Sequence, residues 1–207
     1  MSVQLNTVRS KVLVSAALLG TAAAAAGLGT FGSFTSATSA TSNVSSGTVS
    51  IALGAAGTAA NRFSVAATGL VPGDTVQRAV TLSNAAGNQA LSSIVLTTSA
   101  TTSSKLDTDV TLGLQLKIDS CSTAWTETGT APAYVYSCSG TTKSVLATRA
   151  WIGNNLTLSN LSALAANNTD NLVATMSFPA GADNTFQNQS SVVNFTFTGT
   201  QRAATNQ

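Results

Sequence analysis

Seven carboxylates, nine Lys and Arg, two Cys and no His are the groups with which this 207-residue chain could do chemistry. The missing His removes the commonest general base and metal ligand, and with them the Ser-His and Cys-His dyads. Asp107 and Asp109 stand at i, i+2, which on an extended chain puts both carboxylates on one face, as an acid/base pair or two cation ligands would need. They also directly precede a strong strand pattern, where Asp commonly makes a turn and keeps an edge soluble, and that duller reading is preferred. Asp74, in Pro72-Gly73-Asp74-Thr75, reads as a turn residue in the same way. Cys121 and Cys138 are the only cysteines. In an exported chain they read as a disulfide, which on the chain-entropy model contributes about 3 kcal/mol and pins an excursion containing Trp125. Two thiolates without His are an incomplete zinc set. The short signatures G-x-S-x-G, S-x-x-K, G-x-x-x-x-G-K and H-E-x-x-H are all absent. No catalytic residue, metal site or cofactor is therefore expected.

The elements that would position these groups begin with export. Arg9 and Lys11 precede an apolar, Ala-rich run from Val12 to Gly29 and then small residues, the three-part pattern of a secretory signal, with cleavage placed after Gly32. An uncleaved anchor is the rival, but Gly20, Gly27, Gly29, Ser15 and Thr21 dilute the run. Gly27, Gly29 and Gly32 spell G-x-G-x-x-G without the strand and helix a dinucleotide cradle requires. Both charges before residue 33 are basic, so the remainder carries seven Lys plus Arg against seven Asp plus Glu. A neutral surface rich in Ser and Thr does not steer the chain toward nucleic acid or anionic lipid, and it permits self-association.

Three segments follow: signal peptide 1–32, an extended low-complexity arm 33–46 with Phe34 and Val44 as its large apolar residues, for which composition alone favours the alternative of a disordered leader, and a folded domain 47–207. In the domain the hydrophobic period is two. Val49, Ile51 and Leu53 alternate, as do Val76, Val80 and Leu82, then Leu172, Ala174, Met176 and Phe178, then Val193, Phe195 and Phe197. The clearest alternation is Val110, Leu112, Leu114, Leu116 and Ile118. Leu91–Thr98 and Tyr134–Ser137 are weaker, and Leu158–Ala166 carries at most one short helical turn. These patterns predict an all-β domain, a jelly-roll-like β-sandwich of about eight strands. Asn-x-Ser/Thr triplets at Asn155, Asn160 and Asn194 are expected by chance in so Asn- and Thr-rich a chain.

The order of several segments resembles the TasA/camelysin family of exported bacterial surface proteins. They are Gly-Thr-Phe-Gly-Ser-Phe at the end of the signal, Ser-Gly-Thr-Val-Ser-Ile-Ala-Leu (46–53), Gly-Leu-Val-Pro-Gly-Asp-Thr-Val (69–76), Val-Thr-Leu-Ser-Asn (80–84), Asn-Thr-Phe-Gln-Asn-Gln-Ser (184–190), and the Phe-rich strand before Gln201-Arg202. The resemblance implies a jelly roll, processing by a dedicated signal peptidase, and assembly into biofilm-matrix fibres by donor-strand exchange. The donor on this chain would be about Ser33–Ser46, anchored by Phe34 and Val44, and the partner another copy added head to tail, with an accessory matrix protein as a further partner. Relatives described as metallopeptidases imply instead a secreted peptidase using Asp107, Asp109, Asp119 or Asp183. A zinc site built only from carboxylates is unusual for hydrolysis. A monomeric cell-surface adhesin is the third reading. Neither nucleic acid nor a small-molecule substrate is expected as a partner.

Overall fold

A computed structural model of the chain describes residues 50–63 and 69–204. The expected signal peptide and arm, with Phe34 and Val44, lie outside those residues. These described residues belong to one compact unit, which is nearly all β.

The Pro72-Gly73-Asp74 turn launches the first long strand. Asp74 accepts the Val71 amide on its side chain (2.9 Å) and donates its own amide back to the Val71 carbonyl (3.0 Å), while Gly73 takes φ of 100°. Strand β2 (Thr75–Asn84) runs from there and pairs antiparallel with β9 (Asn168–Ser177), which pairs on its other side with β4 (Gln115–Cys121). β1 (Ala52–Leu53) borders β2 and β7 (Thr142–Ala150) borders β4, giving the sheet order β1-β2-β9-β4-β7. A second, three-stranded antiparallel sheet has the order β10-β3-β8, from β3 (Leu91–Thr102), β8 (Gly153–Thr157) and β10 (Val192–Gln201). A separate hairpin joins β5 (Thr126–Thr128) to β6 (Val135–Ser137).

Alternation decides what each strand buries. Val80 and Leu82 of β2, Leu116 and Ile118 of β4, and Leu172 of β9 share one hydrophobic cluster with Ile94 and Leu96 of β3. The two sheets therefore pack through a common core. Thr98 lies in it almost fully buried, and its hydroxyl is satisfied by donating to the Trp151 carbonyl at 2.7 Å.

The strand expected over Val110–Ile118 is half right. β4 begins only at Gln115, and Val110 is 70% exposed. Ahead of it a single helical turn, α1 (Lys105–Thr108), is closed by Asp109, whose side chain accepts the amides of Thr111 (3.1 Å) and Leu112 (2.9 Å) and curls the chain. Gly113 fits beneath that curl, where a Cβ would meet the Asp109 carbonyl oxygen at 2.3 Å. Ten strands rather than about eight are present among the described residues, because β5, β7 and β8 carry little apolar alternation. The reverse holds at the N-terminal end, where Ala52 and Leu53 are the residues that pair among the described part (50–53) of the expected strand, and Val49 lies outside the described residues. Leu91–Thr102 is the longest strand, and Leu158–Ala166 is a run of turns without a helix.

Leu116→Ala removes a fully buried side chain from the central sheet. Its expected cost is about 3 kcal/mol, read as a lower urea midpoint at unchanged m-value.

Candidate functional site

All seven carboxylates of the chain lie among the described residues, and each one already accepts a hydrogen bond or an ion pair that shapes the fold. Asp107 is the most enclosed. It completes a capping box with Ser104 at the start of α1, taking the Ser104 amide (2.6 Å) and the Ser103 hydroxyl (2.7 Å), and it also accepts from the Ser191 hydroxyl just ahead of β10. Burial pushes its pKa up, but the hydrogen bonds from Ser191, Ser104 and Ser103 outweigh this and hold it below the usual range. Asp109 is lowered by the Leu112 and Thr111 amides. Asp183 caps the 3-10 turn Asn184–Phe186, and hydrogen bonds from the Thr185 hydroxyl and amide lower it. Asp170 receives the amides of Ser162 (2.9 Å) and Ala163 (2.8 Å), Asp119 faces Lys117 at 2.8 Å, and Asp74 holds its turn.

Glu127 does the most elaborate work. Arg62 reaches it with Nη2 on Oε1 at 2.6 Å and Nε on Oε2 at 2.9 Å, a two-pronged pairing, and the Tyr136 hydroxyl donates to Oε2 at 2.7 Å. The Arg62 hydrogen bond is the main reason the Glu127 pKa falls and the Arg62 pKa rises. Burial, then the bond to Glu127, pushes the Tyr136 hydroxyl up to about 12. The Arg62 guanidinium also lies 4.7 Å from the Tyr134 ring centre.

This pairing ties the β5–β6 hairpin to the chain before it. The hairpin sits in the loop closed by the Cys121–Cys138 disulfide, the bridge expected from sequence, with Cα atoms 5.8 Å apart. Its Tyr136 packs with Ala79 and Val173 beside Trp125 and Tyr134, and the Trp125 indole donates to the Asn171 carbonyl at 2.9 Å. Beside the sheet, a recess of about 170 Å³ is lined by Ala60, Thr81, Trp125 and Asn171 among others. That is below the roughly 300 Å³ at which small-molecule sites begin.

The other notable feature is an edge. Among the described residues β10 pairs with β3 alone, so the far side of its backbone carries no strand. Along it Val193, Phe195 and Phe197 touch the core but remain only half-buried, in contrast to Ile94 and Leu96 of β3, which are fully buried. Phe63 covers part of that row, with ring centres 4.6 Å from Phe195 and 6.4 Å from Phe197.

At the level of class this is a disulfide-bonded, antiparallel all-β domain. Residues 8–206 match the family described as camelysin metallo-endopeptidase, and the chain belongs to that family, the TasA/camelysin group its sequence resembles. No curated protein matches the chain. The family's description points toward a metal-dependent enzyme, so the donor set is the test. Hydrolytic zinc is held by three protein ligands, usually including His. The chain has no His, its Asp, Glu and Cys all fall among the described residues, and no three of them form a group able to hold a metal. Asp107 and Asp109 do not present one face, because α1 turns the chain between them; Asp119 and Asp183 are occupied elsewhere. The residues do not fit the zinc.

Because the folded-state pKa values of Asp107, Asp109, Asp183 and Glu127 are depressed, their stabilisation is complete above the unfolded carboxylate range near ~4 and is lost as pH falls through the folded values. The urea midpoint should therefore be level from neutral pH to about 5 and fall below about 4. Asp107→Asn puts an amide against three donors. It should lower stability at neutral pH by about 1–3 kcal/mol and flatten the acid limb of that profile.

Proposed function

We propose that this chain is an exported structural protein, a subunit of extracellular or biofilm-matrix filaments, whose jelly-roll-like domain accepts a donor strand from a neighbouring copy. The observation that carries the reading is the edge of β10, which no strand among the described residues pairs, with its half-covered Val193, Phe195 and Phe197. A strand laid along that edge satisfies backbone groups and covers apolar surface in one step, which is β-strand addition. The donor in this reading is the arm 33–46, with Phe34 and Val44 as anchors.

Magnitudes explain why both parts are needed. Each main-chain hydrogen bond contributes about 1 kcal/mol net, while ordering a residue of the arm costs about 1–2 kcal/mol. Hydrogen bonds alone do not hold the arm, so the covering of the Phe row decides the balance. An arm that leaves one domain to complete the next makes a heterologous interface, which propagates instead of closing. The near absence of net charge beyond residue 32 removes long-range repulsion between copies. The signal-like N-terminus and family membership support placing this protein in the matrix or at the cell surface. In this reading the family's peptidase description does not extend to the chain, because its carboxylates are engaged in caps, turns and ion pairs.

Residues 33–207 are expected to form filaments visible by negative-stain microscopy at rising concentration, and residues 47–207 to remain monomeric. Equal assembly by the shorter chain would reject the donor role. Purified protein with added zinc is expected to leave an unfolded casein substrate intact, and chelator-sensitive cleavage would reinstate the peptidase.

A further inference from the structure

The stretch from Ala52 to Arg62 is a strap laid along the outer edge of β2. After β1 it continues through Gly54, whose amide donates to the Thr81 carbonyl at 3.0 Å; the Thr81 amide donates to Ala60 at 2.7 Å, and the Arg62 amide to Ala79 at 2.8 Å. Residues 55–59 leave the edge between these contacts and return through a bridge between Asn61 and Val80. Both residues of β1 are exposed, so few backbone bonds and little apolar burial fix the strap. Such short edge pairings lie at the low end of local stability. At its far end the Glu127 carboxylate holds Arg62, just before Phe63 packs against Phe195.

Glu127 is in turn held by a hairpin that cannot stand alone. β5 and β6 pair over only three residues each, less than a hairpin needs for independent stability. Three things hold it in place: the small cluster of Tyr136, Ala79 and Val173, the Gln77 side chain accepting the Tyr136 amide at 3.1 Å, and the Cys121–Cys138 bridge at its root. Cys121 is buried and Cys138 is half-buried, which leaves Cys138 as the sulfur open to attack.

We infer that the disulfide-closed hairpin is a redox-sensitive latch on the strap, and that opening the bridge frees Arg62 and uncovers the β2 edge. The step is thiol–disulfide exchange. A dithiol attacks the bridge through its thiolate, the Cys121–Cys138 bond breaks, two Cys thiols form, and the dithiol closes its own disulfide, supplying the two electrons and two protons. The loosened hairpin withdraws Glu127, and the strap loses its one charged fastening. The Thr81 amide and the Ala79 and Thr81 carbonyls then stand unpaired on the sheet edge, open to another strand. Oxidation after the chain has folded re-seats Glu127 and closes that edge. The latch goes beyond the filament reading and does not depend on it.

Trypsin cleaves after Arg and Lys, so cutting after Arg62 reports release of the strap. Cutting after Lys117, in the middle of β4, reports global opening. The expected result, mapped by mass spectrometry on the whole purified chain, is that dithiothreitol raises cleavage at Arg62 by about tenfold or more with Lys117 unchanged, and that reoxidation restores protection. Glu127→Gln, with its disulfide intact, should raise Arg62 cleavage by a smaller factor. Unchanged cleavage at Arg62 on reduction, Lys117 cut as readily as Arg62, or a Gln variant identical to wild type would each overturn the latch.

Discussion

Two antiparallel sheets of unequal width share one apolar core, and most other features answer that mismatch. Five strands present Val80, Leu82, Leu116, Ile118 and Leu172 to a facing sheet of only three, where Ile94 and Leu96 of the middle strand complete the packing. The middle strand is sealed on both sides. Its neighbour β10 has β3 alone beside it among the described residues, and its row containing two Phe stays half-buried.

Scarcity of charge sets the second pattern. Only 8% of residues are charged, and among the described residues every carboxylate is drawn into local architecture. Asp107, Asp109 and Asp183 replace missing backbone partners at the ends of short helical turns, where a carboxylate accepts amide hydrogen bonds. Glu127 and Arg62 join segments 65 residues apart. A catalytic carboxylate needs a free face and a neighbour that tunes it upward. The perturbed carboxylates here are shifted the other way, by hydrogen bonds that favour the ionised form.

Much of this could be read from the chain, and what was hidden had physical reasons. Pro72-Gly73-Asp74 announced its turn because turn chemistry is local, and the cysteine pair announced its bridge because there was no other partner for either. β2, β9 and β10 showed themselves through period-two apolar residues. Asp107 and Asp109 are the turn-forming residues that their place ahead of a strand suggests, but α1 itself is silent in the sequence, because its four residues are too few to leave a periodic trace. β7 escaped notice because its outward residues are as polar as a loop. The Arg62–Glu127 clasp had no local signal at all, since its two halves meet only after the hairpin folds onto the sheet.

The fastening of β10 has a further consequence. At one end Ser191 is tied to Asp107 and Ser104, residues that cap α1; at the other the Arg202 amide donates to Ala90 at 3.2 Å and the Ser92 hydroxyl to Gln201 at 3.0 Å. The strand is thus stretched between two anchors before anything binds alongside it. Its conformational entropy is spent during folding, so an arriving strand has only its own freedom to surrender. In the proposed donor-strand reading, the ordering cost of docking at this edge would therefore fall on the guest and not on the host.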